Sequence, residues 1–341
     1  METESPEALM SHALPTPLPD PLGLGLPEAW ASVRALLPVT PLYRDPALSE
    51  RLGRAVYFKV ESLQFTGSFK VRGAVARMAA LTDRERARGV VTCSSGNHGR
   101  AVAWAAERLG IAAVVCVPGW VDPVKRAAIQ RHGAEVRLVG ESYDEAEADA
   151  VRLARETGRV LVHPFDDPRV VAGQGTVGVE VLQALPEVSD VLVPLSGGGL
   201  AGGVAYALQA LGSTCRVTAV SARNARVMRA SLEAGHPLEL PEEETLASAL
   251  AGGIGLDNRV TFALVGDLVP HHLEVAEVEI ARAMAYGYRE LGLVLEGGGA
   301  TGLAALLGED PPSGAGPLVV ILSGGNVDLG LLARVLEGGT A

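Results

Sequence analysis

From residue 56 to the C-terminal region, short apolar runs alternate with helix-length stretches, and several of the run-to-helix junctions are crowded with glycine. That alternation excludes an all-β sandwich and a helical bundle, and it points to an α/β protein with mostly parallel sheets. The pattern predicts strands over 56–60, 90–93, 112–117, 135–139, 191–193, 217–220 and 318–322. It predicts helices over 70–81, 98–109, 123–131, 143–156, 200–211, 277–290 and 301–307. The compact βα units between 88 and 165 can form a smaller substrate-binding domain inserted in a larger one built from 28–87 and 166–341. Ligands would then bind between the two, at the carboxyl ends of strands. Residues 1–27 carry Pro6, Pro15, Pro17, Pro19, Pro21 and Pro27 and are expected to form a loosely packed arm without a function.

A chain of 341 residues that is 48% apolar and 20% charged can bury a core of this size. Its net charge of −11, without a basic stripe, argues against a nucleic-acid partner. Cys93, Cys116 and Cys215 are far apart and each lies in or beside an apolar run, so they read as reduced thiols with neither disulfide nor metal spacing. No apolar stretch reaches the about 18 residues of a membrane span. The start of the chain lacks the basic and apolar segments of a signal peptide. A cytoplasmic protein acting on a small molecule is expected, with no membrane partner.

Three glycine-rich loops carry candidate chemistry. In Ser196-Gly197-Gly198-Gly199-Leu200, between an apolar strand and an apolar helix, backbone N–H groups can close on an anion at the helix N-terminus. The rival is a dinucleotide site, since Gly197–Gly202 satisfies G-x-G-x-x-G. It requires an acidic residue about 20 residues on, where Ser221, Ala222 and Arg223 stand instead. Ser94-Ser95-Gly96-Asn97-His98 offers hydroxyls, an amide and N–H groups at a second such junction. It is a receptor for a carboxylate or a plain N-cap cluster. Ser323-Gly324-Gly325-Asn326 ends the last apolar strand, where a hydroxyl can meet a ring nitrogen or simply close a turn.

Lys70 is the most informative single residue. It lies between Phe69 and Val71, just after a Thr66-Gly67-Ser68 turn, where a strand hands over to a helix. Partial desolvation and nearby helix-terminal N–H groups disfavour an ammonium there and leave a nucleophilic amine, the group needed for a Schiff base with an aldehyde cofactor. The competing reading is a solvated lysine in the first turn of a surface helix.

The run 61–74 resembles the lysine motif of the fold type II pyridoxal-phosphate enzymes, in the serine/threonine dehydratase family. The ordered set of Lys70 motif, Ser-Ser-Gly-Asn-His, Ser-Gly-Gly-Gly-Leu, Glu-Gly-x-Gly-Ala at 296–300 and Ser-Gly-Gly-Asn extends the resemblance from about residue 38 to the end. It implies a tryptophan synthase β-like fold of two open, twisted, mostly parallel-sheet domains with pyridoxal 5'-phosphate between them. It implies Lys70 as the Schiff-base lysine, Gly197, Gly198, Gly199 and Leu200 as the phosphate loop, and Phe69 packed near the ring. Asn97 would meet the phenolic oxygen and Ser323 the pyridine nitrogen. Ser94, Ser95, Asn97 and His98 would surround the substrate carboxylate.

The implied reaction is α,β-elimination of a β-hydroxy amino acid such as L-threonine or L-serine to a 2-oxo acid and ammonia, in a homo-oligomer. Racemisation is the alternative, with Ser95 as the acid/base on the opposite face. Two departures stand out. Where family members hold a cation with a glutamate, an alanine carbonyl and an aspartate, this chain has Ser221, Ala225 and Val227, and no metal is expected. Ser196 and the stretch 248–258 resemble the hydroxyectoine-utilisation dehydratases, a difference that bears on the substrate more than on the reaction.

Overall fold

A computed structural model describes residues 14–339. The order of elements is α1 (Leu26–Leu36), β1 (Leu42–Asp45), α2 (Pro46–Leu52), β2 (Val56–Val60), a 3-10 turn (Glu61–Leu63), α3 (Lys70–Ala79) and α4 (Asp83–Arg88). Next come β3 (Val90–Cys93), α5 (Asn97–Leu109), β4 (Ala113–Val117), α6 (Pro123–Gln130), β5 (Glu135–Leu138), α7 (Tyr143–Thr157) and β6 (Val160–Leu161). The second half holds α8 (Pro168–Ala184), β7 (Asp190–Pro194), α9 (Gly199–Ala210), β8 (Arg216–Ala222), α10 (Val227–Ala234), α11 (Thr261–Leu268) and β9 (His271–Val275). It closes with α12 (Glu277–Arg289), α13 (Gly297–Leu307), β10 (Leu318–Leu322) and α14 (Leu329–Leu336).

These strands build two sheets. One has the order β1-β2-β10-β7-β8-β9 and is parallel except for the β1–β2 pair. The other has the order β5-β4-β3-β6 and is parallel throughout. Its strands come from residues 90–161, while the larger sheet draws on chain from either side. Parallel strands with helices on their faces bury both sides, and β3, β4, β7 and β10 are buried along their whole length.

Helix α8 lies at the centre, and it is an element that the pattern of apolar residues does not reveal. Val170 through Val181 are all buried, so the helix has no polar stripe to give a 3.6-residue signature. Its glycines, which read as loop residues in a sequence, are contact points for neighbouring backbones. A Cβ on Gly173 would lie 2.6 Å from Arg72 O on α3, and one on Gly175 would lie 2.7 Å from Gly203 O on α9. Glycine also opens α13 four residues before the expected start, because Cβ atoms on Gly297 and Gly299 would strike Leu246 O at 2.1 Å and Gly324 O at 2.2 Å.

The arm expected over 1–27 requires a correction for its described part, and residues 1–13 lie outside the described residues. Leu18, Leu24 and Leu26 are buried against Val171, Val179 and Tyr206. Asp20 accepts from the backbone N–H of Leu24 at 3.0 Å and Gly25 at 2.8 Å, and from the Tyr206 hydroxyl. Its leucines carry enough apolar surface to dock the segment in spite of its prolines.

Under α3 lies a buried ionic cluster. Arg72 donates to Glu61 and Glu180, and Lys59 donates to Glu180 at 2.6 Å and to Thr40 O at 2.7 Å. Two cations and two carboxylates balance, which is the condition under which such charges are tolerated in a core. The cluster ties β2, α3 and α8 together through Arg72, two residues after Lys70.

Candidate active site

Lys70 is the first residue of α3, and the chain before it is laced to the end of β10. Phe69 N donates to Ser323 O at 3.1 Å, Ser68 bridges to Gly324, and Gly325 N donates to Gly67 O at 2.9 Å. Gly67 has φ +75 and presses on the Asn326 side chain, so only glycine serves there. The Lys70 ammonium donates to Pro164 O at 2.8 Å and stands 5.3 Å from the centre of the Phe69 ring. Solvent reaches part of the side chain, yet the crowding of protein atoms around the amine lowers its pKa to about 8, against the opposing pull of Glu296. Lost hydration, more than a helix end, therefore supplies the nucleophilic amine.

Pro164 belongs to a run, His163-Pro164-Phe165-Asp166-Asp167, that the sequence reading passes over. Each member is committed. His163 Nδ1 accepts from the backbone N–H of Phe165 at 3.3 Å and Asp166 at 2.7 Å, so this nitrogen carries no proton. The Phe165 ring lies on the glycine loop, 2.4 Å from where a Cβ on Gly197 would be. Asp166 accepts from Val260 N at 2.8 Å and Thr261 N at 2.9 Å at the start of α11. Asp167 caps α8 and accepts from Arg77 at 2.8 Å. A short polar run between two prolines was the available signal. The loop Gly197–Gly199, with Leu200 after it, opens α9, and Gly198 has φ +84. It is therefore separated from the Lys70 amine by little more than Pro164 and Phe165.

Asn97 begins α5 beyond the Ser94-Ser95 turn, where Ser94 Oγ accepts from Gly96 N at 3.2 Å. Its amide donates to Glu296 Oε1 at 2.6 Å and accepts from Asn326 at 2.7 Å. Glu296 was legible only as part of a motif. Instead of capping its own helix α13, it turns toward Asn97 and Lys70, and loss of hydration raises its pKa to about 7.

His98 departs from the expectation of a carboxylate-binding side chain. Its ring is buried, Nε2 faces Val162 O at 2.9 Å, and burial followed by the Lys70 charge lowers its pKa to about 3. A carbonyl only accepts, so Nε2 holds the proton and the ring stays neutral. What His98 retains for an anion is its backbone N–H near the start of α5. Ser323 is buried where β10 ends. Ser196 donates to Leu250 O at 2.9 Å and so anchors the loop after α10.

Thus Phe69 ties the lysine to the end of β10, Pro164 and Phe165 lie between it and the glycine loop, and Glu296 lies between it and Asn97. A family model described as pyridoxal-phosphate dependent enzyme matches residues 33–324. The chain belongs to that family. A putative threonine dehydratase of Sinorhizobium fredii is 44% identical over 299 residues, covering 88% of this chain and 90% of that protein. An L-threonine ammonia-lyase of Geobacter sulfurreducens is 41% identical over 312 residues, covering 92% and 77%. The structure of maize serine racemase superposes with a TM-score of 0.86 at 35% identity, covering 92% of this chain and 96% of that one. The fold is that of the fold type II pyridoxal-phosphate enzymes, and the protein is a pyridoxal-phosphate-dependent lyase.

The residues present fit the cofactor. A deprotonatable lysine, a glycine loop free of Cβ atoms at a helix N-terminus, and an amide donor facing the same space match its aldehyde, phosphate and phenolic oxygen. The residues around Ser221 do not fit a metal. Ser221 pairs in register with Glu274, but the Glu274 carboxylate lies 3.3 Å from Arg229 and 3.9 Å from Arg226. Among the described residues no group of three or more His, Cys, Asp and Glu side chains could hold an ion. No described helix is long and apolar enough to cross a membrane.

Proposed function

We propose that the protein removes water from a β-hydroxy amino acid, L-threonine or L-serine, and releases the 2-oxo acid and ammonia. The observation that supports this reading is the Lys70 amine, held by Pro164 O at 2.8 Å and lowered in pKa to about 8 by lost hydration, in a chain of this family. Pyridoxal phosphate, when bound, would supply an aldehyde for the substrate amine and an electron sink for its Cα.

The chain supplies the rest. Gly197, Gly198, Gly199 and Leu200 would hold the phosphate through backbone N–H groups at the start of α9, with Phe165 packed on the loop. Phe69 packs beside the amine, Asn97 would offer its amide to the phenolic oxygen, and the Ser323 hydroxyl would serve the pyridine nitrogen. A hydroxyl there does not enforce a charged ring, which suits elimination over transamination. The Ser94 and Ser95 hydroxyls, with N–H groups of Asn97 and His98, orient the substrate carboxylate. Lys70 takes the Cα proton as the β-hydroxyl leaves with a proton as water. The water lost in elimination is regained in the hydrolysis that frees ammonia, so the net reaction consumes none.

Residues 88–165 would act as the substrate-binding domain, with the cofactor held by 28–87 and 166–341. The protein would work as a cytoplasmic homo-oligomer without a metal at Ser221. Racemisation is the second reading, favoured by Ser95 in the turn and by the likeness to a serine racemase. Release of 2-oxo acid from L-threonine, L-serine and D-serine by the pyridoxal-phosphate-loaded protein tests it. Interconversion of serine enantiomers without 2-oxo acid would replace elimination by racemisation. The absence of any change in amino acid would overturn both.

A further inference from the structure

Arg100 stands in the first turn of α5, three residues after Asn97, where the helix field disfavours a cation. Its Nη1 donates to Asn326 Oδ1 at 2.7 Å, and its Nε has no partner among the described residues. Burial and the neighbouring Arg131 both oppose its charge. A residue kept against its local electrostatics calls for a role.

The role follows from which groups can only donate and which can only accept. A guanidinium only donates, so Asn326 must turn its oxygen toward Arg100. A backbone carbonyl only accepts, and Asn326 Nδ2 donates to Thr66 O at 2.8 Å, so both ends of this amide are fixed. The same Nδ2 donates to Asn97 Oδ1 at 2.7 Å, which leaves Asn97 able to present only its NH₂ group to the centre of the site. There Nδ2 donates to Glu296 Oε1 at 2.6 Å. Glu296 could not set this polarity by itself, because a carboxyl that takes up a proton can also donate. A Cβ at Gly67 would strike the Asn326 amide, so glycine there leaves room for this arrangement.

We infer that Arg100 is a positioning residue that, together with Thr66 O, holds the direction of an amide relay, Arg100 to Asn326 to Asn97, so that Asn97 presents a donor to the active centre. This rests on the placement of the cofactor proposed above, where the phenolic oxygen lies before Asn97. An oxygen that faces a fixed donor stays deprotonated. One that faces no donor keeps its proton and shifts the bound cofactor's absorbance to shorter wavelength.

The test compares pyridoxal-phosphate-loaded wild-type protein with Arg100→Met, Arg100→Lys and Asn326→Asp at fixed pH, by absorbance and by kcat and KM for L-threonine. Arg100→Met should lose a large part of the long-wavelength band, with kcat down roughly ten- to hundredfold and KM little changed. Arg100→Lys keeps a donor-only cation and should restore both. Asn326→Asp cannot donate to Thr66 O or to Asn97, so it should reproduce the Met spectrum, and it reads the relay from its middle should Arg100→Met fail to fold. A wild-type spectrum in Arg100→Met or in Asn326→Asp would overturn the relay while leaving the proposed reaction intact. A wild-type protein that takes up no pyridoxal phosphate would remove the cofactor placement and the relay with it.

Discussion

The Lys70 ammonium donates to Pro164 O at 2.8 Å, and a carbonyl can accept from an ammonium and, more weakly, from a neutral amine. The contact therefore holds the nitrogen in place through both of its protonation states, as a base that gives and takes a proton requires. Lys70→Ala should abolish the band of the bound cofactor and lower turnover by roughly 10²–10⁴-fold or more. Lys70→Arg should be as inactive, since a guanidinium does not deprotonate near neutral pH. A Lys70→Ala protein that keeps the visible band would refute the assignment.

In the cofactor-free protein only the unprotonated amine captures an aldehyde. Lys70 is lowered from its ordinary 10.5 to about 8, so the rate of uptake should rise with pH around a midpoint near 8. Glu296 raises the Lys70 pKa, so Glu296→Gln should move that midpoint downward. Glu296 is itself raised to about 7, which means the fold prefers its protonated form. Its contribution is fully present below the unfolded value of 4.5 and is lost as pH rises toward 7. Glu296→Gln should therefore lose less stability than wild type between these limits in urea melts. A midpoint near 10 for cofactor uptake would contradict the desolvated amine.

Much of this site was legible because its motifs sit on strand-to-helix junctions, where the residue type itself signals the geometry. The strands at Val56–Val60, Val90–Cys93 and Leu318–Leu322 fall on their expected bounds, since each is an apolar run flanked by turn chemistry. Helix α8 was not legible, because a segment buried on every side has no amphipathic period and Gly173, Gly175 and Gly178 read as breakers. Glu296, His163 and Arg100 reach the centre from separate parts of the chain. Their roles depend on side-chain direction and lost hydration, neither of which leaves a spacing to find.

The ion pair of Glu274 with Arg229 at 3.3 Å puts a guanidinium beside Ser221, the position at which no metal is expected. Magnesium or calcium should leave the melting temperature unchanged, and chelator should not lower it. A bound ion at a hundredfold excess over its Kd would add about 2.7 kcal/mol, well within detection. A clear rise in melting temperature with Mg²⁺ would contradict this expectation.

Arg72 neutralises Glu61 and Glu180 in a fully buried setting, with Lys59 as the other cation. Arg72→Met leaves two carboxylates against one ammonium and should cost about 3–5 kcal/mol in urea unfolding, the usual penalty for an uncompensated buried charge. Arg72 lies two residues after Lys70 on α3, so the folded fraction should also lose turnover. A loss below about 1 kcal/mol would mean that water or repacking relieves the charges.

The packing of α8 on α9 makes the sharpest stability prediction. A Cβ on Gly203 would lie 2.5 Å from Val171 O and 2.9 Å from Gly175 N, both backbone atoms of a helix that cannot yield without separating the pair. Gly203→Ala should destabilise by about 1–3 kcal/mol or more through overpacking. Gly266, inside α11, is the control, since its Cβ would meet only the end of the Leu232 side chain at 3.3 Å. Gly266→Ala should gain about 0.5–1 kcal/mol from lower backbone entropy in the unfolded chain, less any cost of moving Leu232. Equal effects of the two substitutions in urea melts would show that the helix pair is looser than the glycine contacts imply.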